Sequence, residues 1–175
     1  MDIAPPTATA ENTALADLAR NPASTQAAGT LRLAGSLLRP ATLTLDALRR
    51  YPGTLGAPFD LRCYTTGRFI RTVPPYRGVR LTALLEEAGL RCDEPGDFKR
   101  MVFFAVGHDG YFVTFSWHEL FNTPVGEQVL VAYECGGAPL DAETGAPVLY
   151  SGTDLVPAPR HVKRLVRIEA RVLAL

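Results

Sequence analysis

The feature that most constrains the fold is the shortness of every ordered run. Strand-like and helix-like segments are each closed within a few residues by glycine, proline or a polar turn. Thr30-Leu31-Arg32-Leu33-Ala34 alternates and stops at Gly35. Thr44 has the character of a helix N-cap, Leu45, Leu48 and Arg49 continue a short amphipathic helix, and Tyr51-Pro52-Gly53 ends it. Thr82 starts a second helix in this reading, with Leu84, Leu85 and Ala88 on one face and Gly89 as its stop. Residues 101–106 and 111–115 flank the turn Gly107-His108-Asp109-Gly110 as a hairpin-like pair. Residues 117–121 form one helical turn, 128–133 a strand, and 162–173 a closing strand that alternates from Arg164 onward. Many short strands, two or three short helices and no regular strand–helix–strand alternation predict an α+β domain of mixed β-sheets.

A chain of 175 residues has room for one domain with a sizeable core. Residues 1–28 are rich in Ala, Thr, Pro and Asn and are read as a flexible N-terminal arm with a short helix at 14–19, which leaves 29–175 as the folded domain. The formal net charge is zero, so no global field points to nucleic acid or to a membrane surface, and no apolar run is long enough to span a bilayer. The N-terminus lacks the parts of a signal peptide, which reads as cytoplasmic. An opening of Met1-Asp2-Ile3-Ala4-Pro5-Pro6 equally suits a periplasmic chain that begins after leader removal. The cysteines Cys63, Cys92 and Cys135 form neither a CxxC pair nor a close cluster, which argues against zinc and iron–sulfur centres. Dinucleotide, P-loop, nucleophile-elbow and HExxH signatures are absent.

The chemistry-bearing stretch is FDLRCYTTGRFIRTVPPYRGVRLTALLEEAGL, residues 59–90. Phe59 and Leu61 alternate with polar neighbours as in a half-buried strand, and Thr65-Thr66-Gly67 breaks the pattern as a turn. Cys63 is thereby set at a strand end, facing a cavity. With Arg62, Arg68 and Arg71 in the same segment, nearby positive charge would favour its thiolate, the form that binds a soft metal. The alternative is a buried cysteine packed as a small apolar residue.

Several motifs, taken in order, resemble the molybdopterin-binding domain of the sulfite oxidase-type oxidoreductases. They are Tyr76-Arg77-Gly78-Val79 followed by Leu84-Leu85; Asp109-Gly110-Tyr111; Ala132-Tyr133-Glu134; Gly137-Ala138-Pro139-Leu140; Gly145-Ala146-Pro147; and Pro159-Arg160-His161-Val162-Lys163 before Arg167-Ile168. The resemblance extends from about Thr30 to Val172 and implies the mixed-sheet fold of that family. It also implies one pyranopterin cofactor whose dithiolene holds molybdenum, with Cys63 as the protein ligand to the metal. Arg160, His161 and Lys163 fall at positions that hold the pterin and phosphate in relatives, Arg68 is an added cofactor contact, and Tyr111 matches the active-site tyrosine. A guanidinium and an ammonium close together can neutralise a terminal phosphate, and a phenol can hydrogen-bond an oxyanion or carry a proton.

The expected activity is two-electron or oxygen-atom transfer on a small substrate, by a monomer that passes electrons to a separate partner protein. Tyr64-Thr65-Thr66-Gly67-Arg68 replaces the Asn-Arg-Arg run that follows the cysteine in sulfite oxidases proper, which argues against sulfite. Val148-Leu149-Tyr150-Ser151-Gly152 lacks the arginine the family usually places there. A second expectation is a non-catalytic pterin-binding or partner-binding module that keeps the fold without molybdenum. His108 is read as a turn residue, His118 as helix surface, and Trp117 with the phenylalanines as core.

Overall fold

The structure is a computed structural model, and it describes residues 28–174; the helix expected at 14–19 lies outside the described residues. The first sheet runs in the order β2 (Ala41–Thr44), β1 (Thr30–Gly35), β12 (Leu165–Val172), β7 (Met101–Gly107), β8 (Phe112–Ser116). β1 and β12 are parallel, and the other neighbours in this sheet are antiparallel. The second sheet is antiparallel throughout. β9 (Val129–Cys135) pairs with β6 (Tyr76–Arg80) on one side and with β10 (Ala138–Pro139) and β11 (Val148–Ser151) on the other, and β3 (Thr54–Gly56) extends β6. β4 (Phe59–Arg62) and β5 (Phe69–Val73) form a separate hairpin. This mixed-sheet arrangement is the α+β fold the sequence predicts.

The main core gathers Leu31, Leu33 and Ile168 from the first sheet, Val79, Val129 and Val131 from the second, and Leu84 and Leu85 from the helix α2 (Leu81–Ala88). A smaller core lies on the other face of the second sheet, where Leu61 and Val73 of the β4–β5 hairpin cover Tyr76, Leu130, Ala132 and Tyr150. β9 is therefore buried on both faces over most of its length, which explains why Val129-Leu130-Val131-Ala132-Tyr133 is a continuous apolar run instead of an alternating one. β12 alternates: Leu165, Ile168 and Ala170 point inward, while Arg167, Glu169 and Arg171 form a row of ion pairs on the other face. A register shift between Leu165 and Arg167 makes Val166 a bulge residue and explains the irregular start of that pattern.

Local signals act where the sequence places them. The Thr44 hydroxyl accepts a hydrogen bond from the Ala47 N–H at 3.1 Å and caps α1 (Leu45–Arg49). α3 (Trp117–Phe121) opens with a full capping box, Ser116 and Glu119 each accepting from the other's backbone N–H. α2 departs from expectation: it begins at Leu81, one residue before Thr82, and no side chain caps it. Its start is set by Leu81 and Leu84 sinking into the core, since both are fully buried. The strands β2, β3, β5, β6, β10 and β11 are not resolved by periodicity, being two to five residues long.

Candidate functional site

Cys63 leaves β4 and enters the hairpin turn, where its N–H donates to the Arg68 carbonyl at 2.9 Å and its carbonyl accepts from the Gly67 N–H at 2.8 Å. Gly67 has φ +67° with open space around it, so backbone conformation alone calls for glycine here. The Cys63 side chain is half-buried. Its thiol is shifted below the ordinary cysteine range, first by a hydrogen bond from the Thr66 side chain, then by the Thr66 and Thr65 N–H groups, with the Arg68 charge a smaller contribution. The cause differs from the expected arginine cluster. Arg62 turns to Asp60 at 3.3 Å, and Arg71 reaches into the smaller core. Turn donors aimed at the sulfur do most of the work that charge was expected to do.

β5 pairs Arg71 with Leu61, and this register brings the guanidinium close enough to the Tyr150 hydroxyl to favour its ionised form. Tyr150 stacks on His161 with ring centroids 4.9 Å apart and planes at 21°, and packs on Tyr76 at 4.5 Å; Phe59 stands edge-on to both tyrosines. Burial, with Cys135 adding to it, pushes Tyr150 up to about 12, and burial pushes Tyr76 up to about 12 as well. His161 is driven down to about 4, first by burial and then by the Arg71 and Lys163 charges, so its imidazole is neutral at physiological pH. Two buried polar atoms here have no hydrogen-bond partner, the His161 Nε2 and the Tyr76 hydroxyl. Unpartnered buried groups are costly and uncommon, and two of them stand in this one cluster.

Arg160 stands differently. Its guanidinium grips Asp154 with Nε at 2.7 Å and Nη2 at 2.5 Å, donates to Glu119 at 3.0 Å, and lies 4.5 Å from the centre of the Phe115 ring. It thereby ties α3 to the 152–160 loop and is neutralised within the protein. Lys163 is exposed and makes no ion pair among the described residues, leaving its ammonium available to a ligand. The Tyr111 hydroxyl donates to the Pro159 carbonyl at 2.5 Å, which fastens the β7–β8 turn to the segment that carries Arg160. Asp109 accepts from the Tyr111 N–H at 3.0 Å inside that turn. His108 lies in the turn and His118 on the helix surface, as the sequence predicts.

Of the residues singled out from the sequence, Cys63 and Arg68 share one turn, and Tyr111 and Arg160 meet through Pro159. His161 joins Arg71, Tyr150, Tyr76 and Cys135, a cluster that was not foreseen apart from His161. In the 148–152 stretch, where the sequence lacks the family's usual arginine, Tyr150 stands next to the charge of Arg71 from β5. Asp154 and Glu119 had no sequence signature as partners of Arg160.

The family description "oxidoreductase molybdopterin binding domain" matches residues 19–172. Among solved structures the chain is similar to the sulfane dehydrogenase SoxCD from Paracoccus pantotrophus, with 22% identity, a TM-score of 0.57, and coverage of 83% of this chain and 39% of that one. At this identity the likeness speaks to the fold, and the chain spans well under half the length of that protein. Comparison with curated proteins finds no match. The motif order, the mixed-sheet architecture and the match across nearly the whole described domain agree, and the chain belongs to the oxidoreductase molybdopterin-binding domain family.

Proposed function

We propose that this domain holds a molybdenum pyranopterin and catalyses two-electron or oxygen-atom transfer on a small substrate, with Cys63 as the protein ligand to the metal. The observation that carries the proposal is the Cys63 turn, in which Thr65 and Thr66 supply donors that favour the thiolate. A half-buried thiol shifted below the ordinary cysteine range, with no disulfide partner, suits a soft, redox-active metal better than it suits packing.

The surrounding donor set fits the cofactor in part. The unpartnered His161 Nε2 suits a hydrogen bond to a neutral heterocycle, which a protonated imidazole would serve less well. Lys163 and Arg68, both exposed, suit the phosphate and outer edge of such a group. Arg160 fits less well, because Asp154 and Glu119 already satisfy it; its role in this reading is to brace the segment that carries His161 and Lys163. When bound, the cofactor supplies a metal that cycles by two electrons. The chain's own part is to hold the Cys63 sulfur in a fixed turn, to set a neutral imidazole against the aromatic wall of Tyr150, and to brace the Arg160 segment through the Tyr111 hydroxyl, whose proton is given to the Pro159 carbonyl. Electrons leave to a separate protein in this proposal.

The test is molybdenum content by mass spectrometry of protein made in a host that assembles the cofactor, with Cys63→Ala and Cys92→Ala in parallel. About one metal per chain is expected, lost in Cys63→Ala and retained in Cys92→Ala, since Cys92 is exposed and is not part of the 63–68 turn. Absence of molybdenum in a host that loads a control enzyme would sink the proposal.

A further inference from the structure

A cavity of about 350 Å³ lies where the start of β1, the β7–β8 turn, the 142–146 loop and the start of β12 meet. Its size is that of a small-molecule site. Its walls combine the apolar side chains of Ala142, Ala146 and Leu165 with three ionisable groups, His108, Arg164 and Glu143. Arg164 Nη1 approaches His108 Nε2 at 3.4 Å, and neither side chain has a carboxylate partner among the described residues. Glu143 lines the same space without an ion pair to Arg164. A guanidinium left unneutralised beside an imidazole, over an apolar floor, is a receptor for an anion.

The backbone holds this arrangement at a cost. Arg164 has φ +45°, the only positive value on a non-glycine among the described residues. It is fixed from both sides, its N–H donating to the Gly145 carbonyl at 2.8 Å and its carbonyl accepting from the His108 N–H at 2.9 Å. Backbone strain that the surroundings over-determine is characteristic of ligand clamps. Those two bonds also join the three loops that carry His108, Gly145 and Arg164, so the side chains are presented from a braced frame.

We propose that this cavity binds a small organic monoanion, a carboxylate with a short apolar body, clamped by Arg164 and His108. The guanidinium fork matches a carboxylate in two parallel hydrogen bonds, and Ala142, Ala146 and Leu165 cover the apolar part. Glu143 on the same wall opposes negative charge in proportion to its amount, so a dianion such as phosphate is disfavoured more than a monoanion. The proposal involves neither Cys63 nor the cofactor, so it stands or falls separately from the function proposed above.

The test is a chemical-shift titration of the isotope-labelled full chain with acetate, butyrate, benzoate and inorganic phosphate, each alone. Butyrate is expected to give saturable shifts at the His108, Ala146 and Leu165 amides and to bind more tightly than phosphate. Arg164→Asn removes the guanidinium while keeping a residue that tolerates positive φ, and should weaken butyrate about tenfold or more. Glu143→Gln should strengthen both anions, phosphate by the larger factor. If Arg164→Asn fails to give a folded spectrum, His108→Gln serves instead, with weakening of a few-fold expected. No saturable shift with any carboxylate, phosphate binding above butyrate in the unaltered chain, or unchanged butyrate binding in the folded variant would each overturn the assignment.

Discussion

At the scale of single residues, Cys63 and His161 are tuned by different means. The thiol is shifted by donors, the Thr66 side chain first, so removing that donor should move it back up. Thr66→Val is expected to raise the pH at which Cys63 becomes half-reactive toward iodoacetamide, read peptide by peptide by mass spectrometry; an unmoved midpoint would assign the shift elsewhere. His161 is shifted by burial, and its folded pKa of about 4 lies below the unfolded value of about 6.5. Between those values the unfolded chain binds the extra proton, so stability is fully present above pH 6.5 and falls as pH drops toward 4. The loss at full extent, reached below pH 4, is on the order of 3 kcal/mol. His161→Gln should flatten this slope in denaturant midpoints measured from pH 7 to 4, and an equally steep slope in the variant would show that other groups cause it.

At the scale of elements, short helices and a detached hairpin do the positioning. α3 is five residues long, too short to persist without its cap and its packing. Its capping box has a second use. Glu119 Oε2 accepts from the Ser116 N–H at 2.8 Å, while Oε1 accepts from Arg160 at 3.0 Å, so one carboxylate links the helix start to the 152–160 loop. Burial pushes the Glu119 carboxyl up, but the bonds from Ser116 and Arg160 outweigh it and hold the group below the usual carboxylate range. Ser116→Ala should therefore cost about 1 kcal/mol, measured as a lower urea midpoint at unchanged m-value. The β4–β5 hairpin shows the same economy. Its apolar side is buried over Tyr76 and Tyr150, and its turn is left free to be shaped by Thr65, Thr66 and Gly67 around the thiol.

At the scale of the whole molecule, the two sheets share one core, and close backbone approaches set how they fit. Gly35 ends β1 against β12, and a Cβ placed there would lie 2.0 Å from the Ala170 carbonyl oxygen at φ +86°. Gly35→Ala combines a positive-φ penalty with a clash against backbone that cannot give way, and is expected to cost about 2–4 kcal/mol in equilibrium unfolding. Gly67→Ala, also at positive φ but facing open space, should cost about 1 kcal/mol. Equal costs at the two sites would mean that the β1–β12 contact is not what Gly35 protects.

The sequence by itself determined the elements whose signals are local: the Thr44 cap, the 107–110 turn, the strand into Cys63, and the class of fold from short runs without strand–helix alternation. It also carried the family, because ordered motifs survive in one dimension. Only the tertiary structure decided which charged groups are free and which are spent. Arg160 is neutralised by Asp154 and by Glu119, the latter 41 positions away, while Arg71 is drawn from β5 to Tyr150 and His161. A side chain's charge is visible in the sequence, but its partner is fixed by which strands lie side by side, and that pairing is settled by burial of the two cores.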